Sequence, residues 1–177
     1  LVTDGGGALV VTSAERAKDA RTPPVWGLGT GEATCHSIIS QMPRFHVWDA
    51  AILSGERAFA MAGVAHEDID LAMFYDAFTI VPILALEALG FCEIGEGGRF
   101  VEGQRTGAGG EFPMNTNGGG LSYTHSGMYG MYLLVEAVRQ LRGECGERQV
   151  KGARTAICHG TGGILSAAAT AILSTER

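Results

Sequence analysis

A chain of 177 residues is long enough for one good core, or for one domain plus a remnant of another, and its 46% hydrophobic against 18% charged residues argue for a heavily buried α/β chain rather than a disordered one. A formal net charge of −6 with no Lys/Arg run argues against a nucleic-acid partner. Four cysteines without a C-x-x-C pair argue against zinc and against a disulfide framework, no apolar run reaches membrane-spanning length, and the reading is a cytoplasmic protein with reduced thiols, no metal and no membrane span.

In chain order, residues 1–13 open with an Asp-Gly-rich turn followed by a short β-rich run, and Ser13 caps one helical turn beginning at Ala14. Pro23 and Pro24 mark a linker into a strand. Residues 32–48 have weak periodicity and are expected to form loop with partial helix. His36 and His46 fall there as ordinary loop histidines, since no second ligand lies at metal spacing. A helix is expected from Asp49, its cap, to Gly63, with Ala51, Leu53, Ala58 and Met61 among its apolar positions. Residues 66–70 are a polar loop, Leu71 to Tyr75 an apolar strand, and residues 80–91 a helix with Pro82 tolerated in its first turn. Residues 92–103 read as loop or lid. Gly107 to Gly110 complete no dinucleotide fingerprint.

Residues 115–130 are the organising stretch. Gly118, Gly119 and Gly120 permit a tight turn, and from Met128 the apolar positions Met131, Tyr132, Val135, Val138 and Leu141 recur at helical spacing, with Glu136, Arg139 and Arg142 between them and Gly143 as a stop. The 27 glycines, about twice the usual share, cluster in such loops. His125 therefore sits in a turn before a helix, where an imidazole can donate to a developing oxyanion. After a turn at Lys151-Gly152, residues 153–158 are a strand, His159 to Gly163 a glycine loop, and Ile164 to Leu173 a final buried strand. Strand, turn and helix in succession predict a mixed sheet covered by helices.

Tyr75 and Asp76 close a strand, the place where ligands of open α/β sheets tend to sit. Tyr75 is a candidate hydrogen-bond donor, or an acid/base if its pKa is lowered; the alternative is a tyrosine packed under the following helix. Tyr123, two residues before His125, is equally a donor or a packing residue. Cys158 and His159 share the end of a strand beside glycines, with the thiol either chemical or simply core.

These motifs resemble the thiolase superfamily, over nearly the whole chain and in the expected order. Asn115 to Gly130 is similar to its Asn-rich, Gly-Gly segment followed by Gly-His-Pro, although the triplet here reads Thr124-His125-Ser126. Tyr75-Asp76-Ala77-Phe78 is similar both to the thiolase Asn-Glu-Ala-Phe and to the His-Asp-Cys-Phe of the sterol-carrier-type branch, but lacks the acid/base cysteine of the latter. Cys158 and the glycines after it resemble the terminal Cys-x-Gly-Gly-Gly, and His159 is an alternative match to the histidine of that branch's Gln-His-Asn segment. The resemblance implies the C-terminal half of a thiolase-like fold, with helices layered around a mixed five-stranded sheet. Residues 1–22 would then be a remnant of the N-terminal half, and 23–177 the C-terminal domain.

It also implies an acyl-coenzyme A enzyme acting on a C–C bond, with coenzyme A entering as part of the substrate. The first expectation is retro-aldol cleavage of a β-hydroxyacyl-coenzyme A, as in the steroid side-chain aldolases, with His125 as oxyanion donor and Tyr75, Tyr123 and Asp76 around it. Thiolytic acyl transfer using Cys158 is the second, and a non-catalytic lipid-binding or scaffold homologue the third. Implied partners are the missing N-terminal half, a second copy in a homodimer and a small OB-fold protein.

Overall fold

A computed structural model describes residues 2–177; Leu1, the first residue of the expected N-terminal remnant, lies outside the described residues. The elements are α1 (Ala14–Ala17), β1 (Trp26–Thr34), α2 (Asp49–Ala62), β2 (Leu71–Phe74), α3 (Ile80–Ala88), α4 (Gly97–Phe100), α5 (Gly120–Tyr123), α6 (Tyr129–Leu141), β3 (Thr155–Gly162) and β4 (Ala167–Ser174). The strands form one sheet in the order β1-β4-β3-β2, antiparallel at β1/β4 and β4/β3 and parallel at β3/β2. No helix among the described residues is long and apolar enough to cross a membrane.

Alternation along the strands sends side chains to two cores. Phe74, Ile157 and Ile172 pack with Trp48, Ala58 and Leu86 on the face covered by α2 and α3. Leu71, Met73, Ala156 and Cys158 pack with Tyr129, Leu133 and Ala137 of α6 on the other. Helix α2 lies almost directly on β1. A Cβ on Gly31 would stand 2.1 Å from the Ser54 carbonyl oxygen, and one on Gly29 2.2 Å from that of Ala58. Because both obstacles are backbone, Gly31→Ala must lift the helix. Overpacking of this kind is expected to destabilise by about 1–3 kcal/mol, lowering the melting temperature of a chain this size by about 2–12 °C. Thermal unfolding followed by circular dichroism measures it, and an unchanged midpoint would mean that α2 can slide without loss.

Several expectations change. The sheet has four strands among the described residues, not five. Beyond β2, Ala72 forms a single parallel bridge with Met114: its N–H donates to Pro113 O at 3.0 Å and its carbonyl accepts from Asn115 N at 2.9 Å. That segment cannot lengthen into a strand, because Pro113 has no N–H and Asn115 turns the chain with φ +50°. The expected β-rich run forms no strand among residues 2–13, and Val10 and Val11 lie exposed. Ser13 does cap α1, accepting from Arg16 N. Asp49 is the first residue of α2 rather than its cap, a position held by Trp48. Residues 163–166 turn before β4 begins at Ala167, so the final strand starts later than expected.

Helix α6 forms where expected, but its buried stripe is Tyr129, Leu133, Glu136, Ala137, Gln140 and Leu141. Met131, Tyr132, Val135 and Val138 are only half-buried. Glu136, which falls between the apolar positions expected from the sequence, is 4% exposed.

Candidate functional site

Strand β2 delivers Tyr75 and Asp76 to its carboxyl end, where Tyr75 N–H donates to His159 O of β3 at 2.9 Å. Asp76 is buried and faces the glycine loop, accepting from Gly120 N at 2.6 Å and Leu121 N at 3.2 Å. One carboxylate thereby holds the first turn of α5, satisfying amides that no helical carbonyl can reach. Gly119 has φ +76°, and a Cβ there would lie 2.1 Å from Asp76 Oδ2. Within the loop, Asn117 Oδ1 accepts from Gly119 N at 3.1 Å and Asn117 Nδ2 donates to Tyr123 Oη at 2.9 Å.

The chain's four tyrosines meet here. Tyr129 stands edge-on to Tyr75 with ring centroids 5.1 Å apart, and lies 6.2 Å from Tyr123 and 5.8 Å from Tyr132. Burial, then the Asp76 charge, pushes the Tyr75 phenol above its ordinary pKa. Burial also raises Tyr123. Both phenols therefore keep their protons at neutral pH, which leaves each O–H available as a donor.

His125 follows α5 on an extended segment and is exposed. Its carbonyl accepts from Thr3 N at 3.4 Å, and the Thr3 and Thr124 hydroxyls are hydrogen-bonded. The opening residues thus lie against the site loop, with Gly5 under the Tyr132 hydroxyl and Gly7 under Met131.

The structure therefore brings Tyr75, Asp76 and the Gly120–Tyr123 turn together at one end of the sheet, with His125 two residues beyond that turn in the chain. It does not make a pair of Cys158 and His159. Strand β3 runs on to Gly162, so both are inside the strand instead of in a loop after it, and consecutive side chains point to opposite faces. Cys158 lies in the α6-side cluster that also includes Tyr75, its thiol donating to Leu133 O at 3.6 Å, and burial pushes its pKa far above the ordinary thiol value. Nothing here stabilises a thiolate.

His159 lies on the α2 side, with Trp48 edge-on at 4.9 Å, and burial pushes it down to about 3, so the ring is neutral. Its Nδ1 is 2.8 Å from Thr170 Oγ1, which is 2.9 Å from Ser54 Oγ, and Ser54 donates to Ala51 O at 3.1 Å. With Ser54 committed to that carbonyl, Thr170 donates to Ser54 and accepts from His159, which places the ring proton on Nδ1. This is a packed hydrogen-bond chain of the core.

An open groove of about 800 Å³ is lined by Leu133 and Leu134 of α6, Arg57 and Met61 of α2 and the edge strand β1, and both Cys158 and His159 contribute to its lining. None of Tyr75, Asp76, Tyr123 and His125 lines it. Among the described residues, no group of three or more His, Cys, Asp or Glu is placed to hold a metal.

Residues that sequence reasoning missed are Asn117, Tyr129 and Glu136. The signal for the last was available: Tyr129, Leu133, Glu136 and Gln140 keep a 4-3-4 spacing that puts the carboxylate on the core stripe.

Residues 31–175 match a family model described as thiolase C-terminal domain-like. An acetyl-CoA acetyltransferase from Methanothermobacter thermautotrophicus is 37% identical over 98% of this chain and 45% of its own length. A steroid side-chain-cleaving aldolase from Thermomonospora curvata is 37% identical over 80% of this chain and 37% of its own length. Among solved structures, one titled Ltp2-ChsH2(DUF35) aldolase superposes with a TM-score of 0.83 at 28% identity, covering 93% of this chain and 43% of that one. The chain spans less than half the length of each of these relatives.

Proposed function

The chain belongs to the thiolase C-terminal domain-like family, and from that premise we propose that it is the C-terminal part, residues 23–177 with residues 1–22 left from the preceding half, of an enzyme cleaving a C–C bond in an acyl-coenzyme A. The reaction proposed is retro-aldol: a β-hydroxyl loses its proton, the Cα–Cβ bond breaks, a ketone or aldehyde leaves, and the thioester enolate takes a proton at Cα. His125 donates to the enolate oxygen, where aimed donors contribute most. Tyr75 and Tyr123 donate from the same side, and Asp76 holds the loop that carries Tyr123 and His125.

The observation that supports this reading is that one buried carboxylate, Asp76 at the end of the β2 strand beside Tyr75, holds the loop that carries Tyr123 and, two residues on, the exposed His125. Since the phenols donate, neither of them is the base that takes the hydroxyl proton. The similarity to a steroid side-chain-cleaving aldolase supports a bulky β-hydroxyacyl substrate. The Ltp2-ChsH2(DUF35) aldolase carries a second component in its name, in keeping with the small OB-fold partner proposed here; the other proposed partners are the N-terminal half and a second copy in a homodimer. All four cysteines are free, which fits a reducing compartment such as the cytoplasm.

Thiolytic acyl transfer is the second reading, favoured by the match to an acetyl-CoA acetyltransferase across almost the whole chain. The test is an assay of the whole protein with a β-hydroxyacyl-coenzyme A and, separately, a β-ketoacyl-coenzyme A plus free coenzyme A. Carbonyl release from the first is expected, reduced roughly tenfold or more by Tyr75→Phe and little changed by Cys158→Ser. Thiol-dependent loss of the second substrate, abolished by Cys158→Ser, would overturn the proposal in favour of thiolysis. Silence of the intact protein with both would favour the binding or scaffold homologue.

A further inference from the structure

Glu136 is a carboxylate inside a helix–sheet core, where a leucine would fill the α6 stripe with no desolvation penalty. It is not an isolated ion pair. Its Oε1 accepts from Thr116 Oγ1 at 2.9 Å, from Arg148 Nε at 2.9 Å and from Gln140 Nε2 at 3.3 Å, and the Cys145 thiol lies 3.6 Å away. Oε2 takes Arg148 Nη2 at 3.1 Å. Burial alone would raise the Glu136 pKa, but the hydrogen bonds from Arg148 and Thr116 outweigh it and hold the carboxyl below its ordinary value.

Arg148 is itself kept in place. Gln140 Nε2 donates to the Arg148 carbonyl at 2.8 Å, and Gln140 Oε1 accepts from Val150 N at 2.9 Å. The turn after α6 is thereby clamped to the helix that carries Glu136.

Of the donors on this carboxylate, Thr116 alone comes from the glycine loop. It stands between Asn115, whose Oδ1 accepts from Phe74 N at 2.8 Å at the end of β2, and Asn117, which holds Tyr123 and Gly119. The loop is thus tied at β2 by Asn115, at the strand end by Asp76 and at α6 by Thr116. We infer that Glu136, set by Arg148, is a positioning residue of the candidate site, acting through the Thr116 hydroxyl to fix the register of the loop that presents Tyr123 and His125. The inference rests on the functional reading above only for its kinetic consequence; the loop's order is measured without any substrate.

Thr116→Val is the decisive variant, because it keeps the shape of the side chain and leaves the Glu136–Arg148 pair intact. Amide hydrogen exchange of residues 118–122 is expected to accelerate roughly 10- to 100-fold, the loss corresponding to one hydrogen bond to a charged group. Thr116→Ser is expected to restore protection. Glu136→Leu, which leaves the Thr116 hydroxyl no acceptor on α6, is expected to loosen the same amides, and the double variant Thr116→Val/Glu136→Leu no more than the worse single one, since both cut one tether. In the whole protein kcat should fall roughly tenfold or more with KM little changed, because a loosened loop misplaces donors without removing binding contacts. Unchanged exchange at residues 118–122 in Thr116→Val would overturn the inference, as would strictly additive effects in the double variant. Loosened amides in a protein inactive on both coenzyme A substrates would uphold the positioning role and sink the functional reading instead.

Discussion

His125→Ala in the whole protein is expected to lower turnover of the β-hydroxyacyl-coenzyme A by roughly 10²- to 10³-fold, the effect of deleting one donor aimed at a developing oxyanion. The imidazole is exposed and flanked by the Thr3 contact on its own backbone, so truncating it removes little packing and the melting temperature should hardly move. KM should change far less than kcat, since the charge the ring stabilises exists only in the transition state. His125→Gln, which keeps an N–H donor, should recover part of the loss. Stopped-time product analysis at saturating substrate measures the effect. Less than a threefold change would remove His125 from the oxyanion role.

Asp76→Ala is expected to act twice. It strips the Gly120 and Leu121 amides of their acceptor in a buried setting, and each N–H left unsatisfied there costs about 1–3 kcal/mol. It also releases α5, so Tyr123 and His125 lose their shared position, and a displacement near 1 Å is enough for a loss of roughly 10²-fold in turnover. Gly119→Ala should reproduce the catalytic defect from the other side, because its Cβ would collide with Asp76 Oδ2 and its φ is left-handed. The two changes are expected to be strongly non-additive, since both break the same contact. Additive losses in a double-mutant cycle would show that Asp76 and the glycine turn do separate work.

Much of this was legible from local pattern. The helix following the glycine loop, the helix at residues 49–62, the strand ending at Tyr75 and the βαβ order all follow from periodicity and from glycine and proline punctuation, which are properties of neighbours in the chain. The order of motifs was also enough to suggest the family, through their resemblance to the motifs of the thiolase superfamily.

What the tertiary structure decided depends on residues far apart in sequence. Glu136 looked like part of a polar face because charge usually means solvent; Thr116 and Arg148, brought to it by the fold, are what make its burial tolerable. Cys158 and His159 looked like a pair at a loop because glycines follow them, yet pairing with β4 carries the strand on to Gly162 and sends the two side chains to opposite cores. The five-stranded sheet that the resemblance implied has four strands among the described residues, and beyond β2 pairing stops at one bridge because of Pro113 and the left-handed Asn115, a backbone conformation that no periodicity reports. Asp76 was visible as a candidate, but its task was not, since the amides it holds lie 44 and 45 residues away. The amino-acid sequence by itself determined the longer helices, most of the strands, their order and the loop that carries His125; only tertiary packing decided which polar groups are buried, and therefore which must be partnered, because the desolvation that makes a partner obligatory exists only once distant segments exclude the water between them.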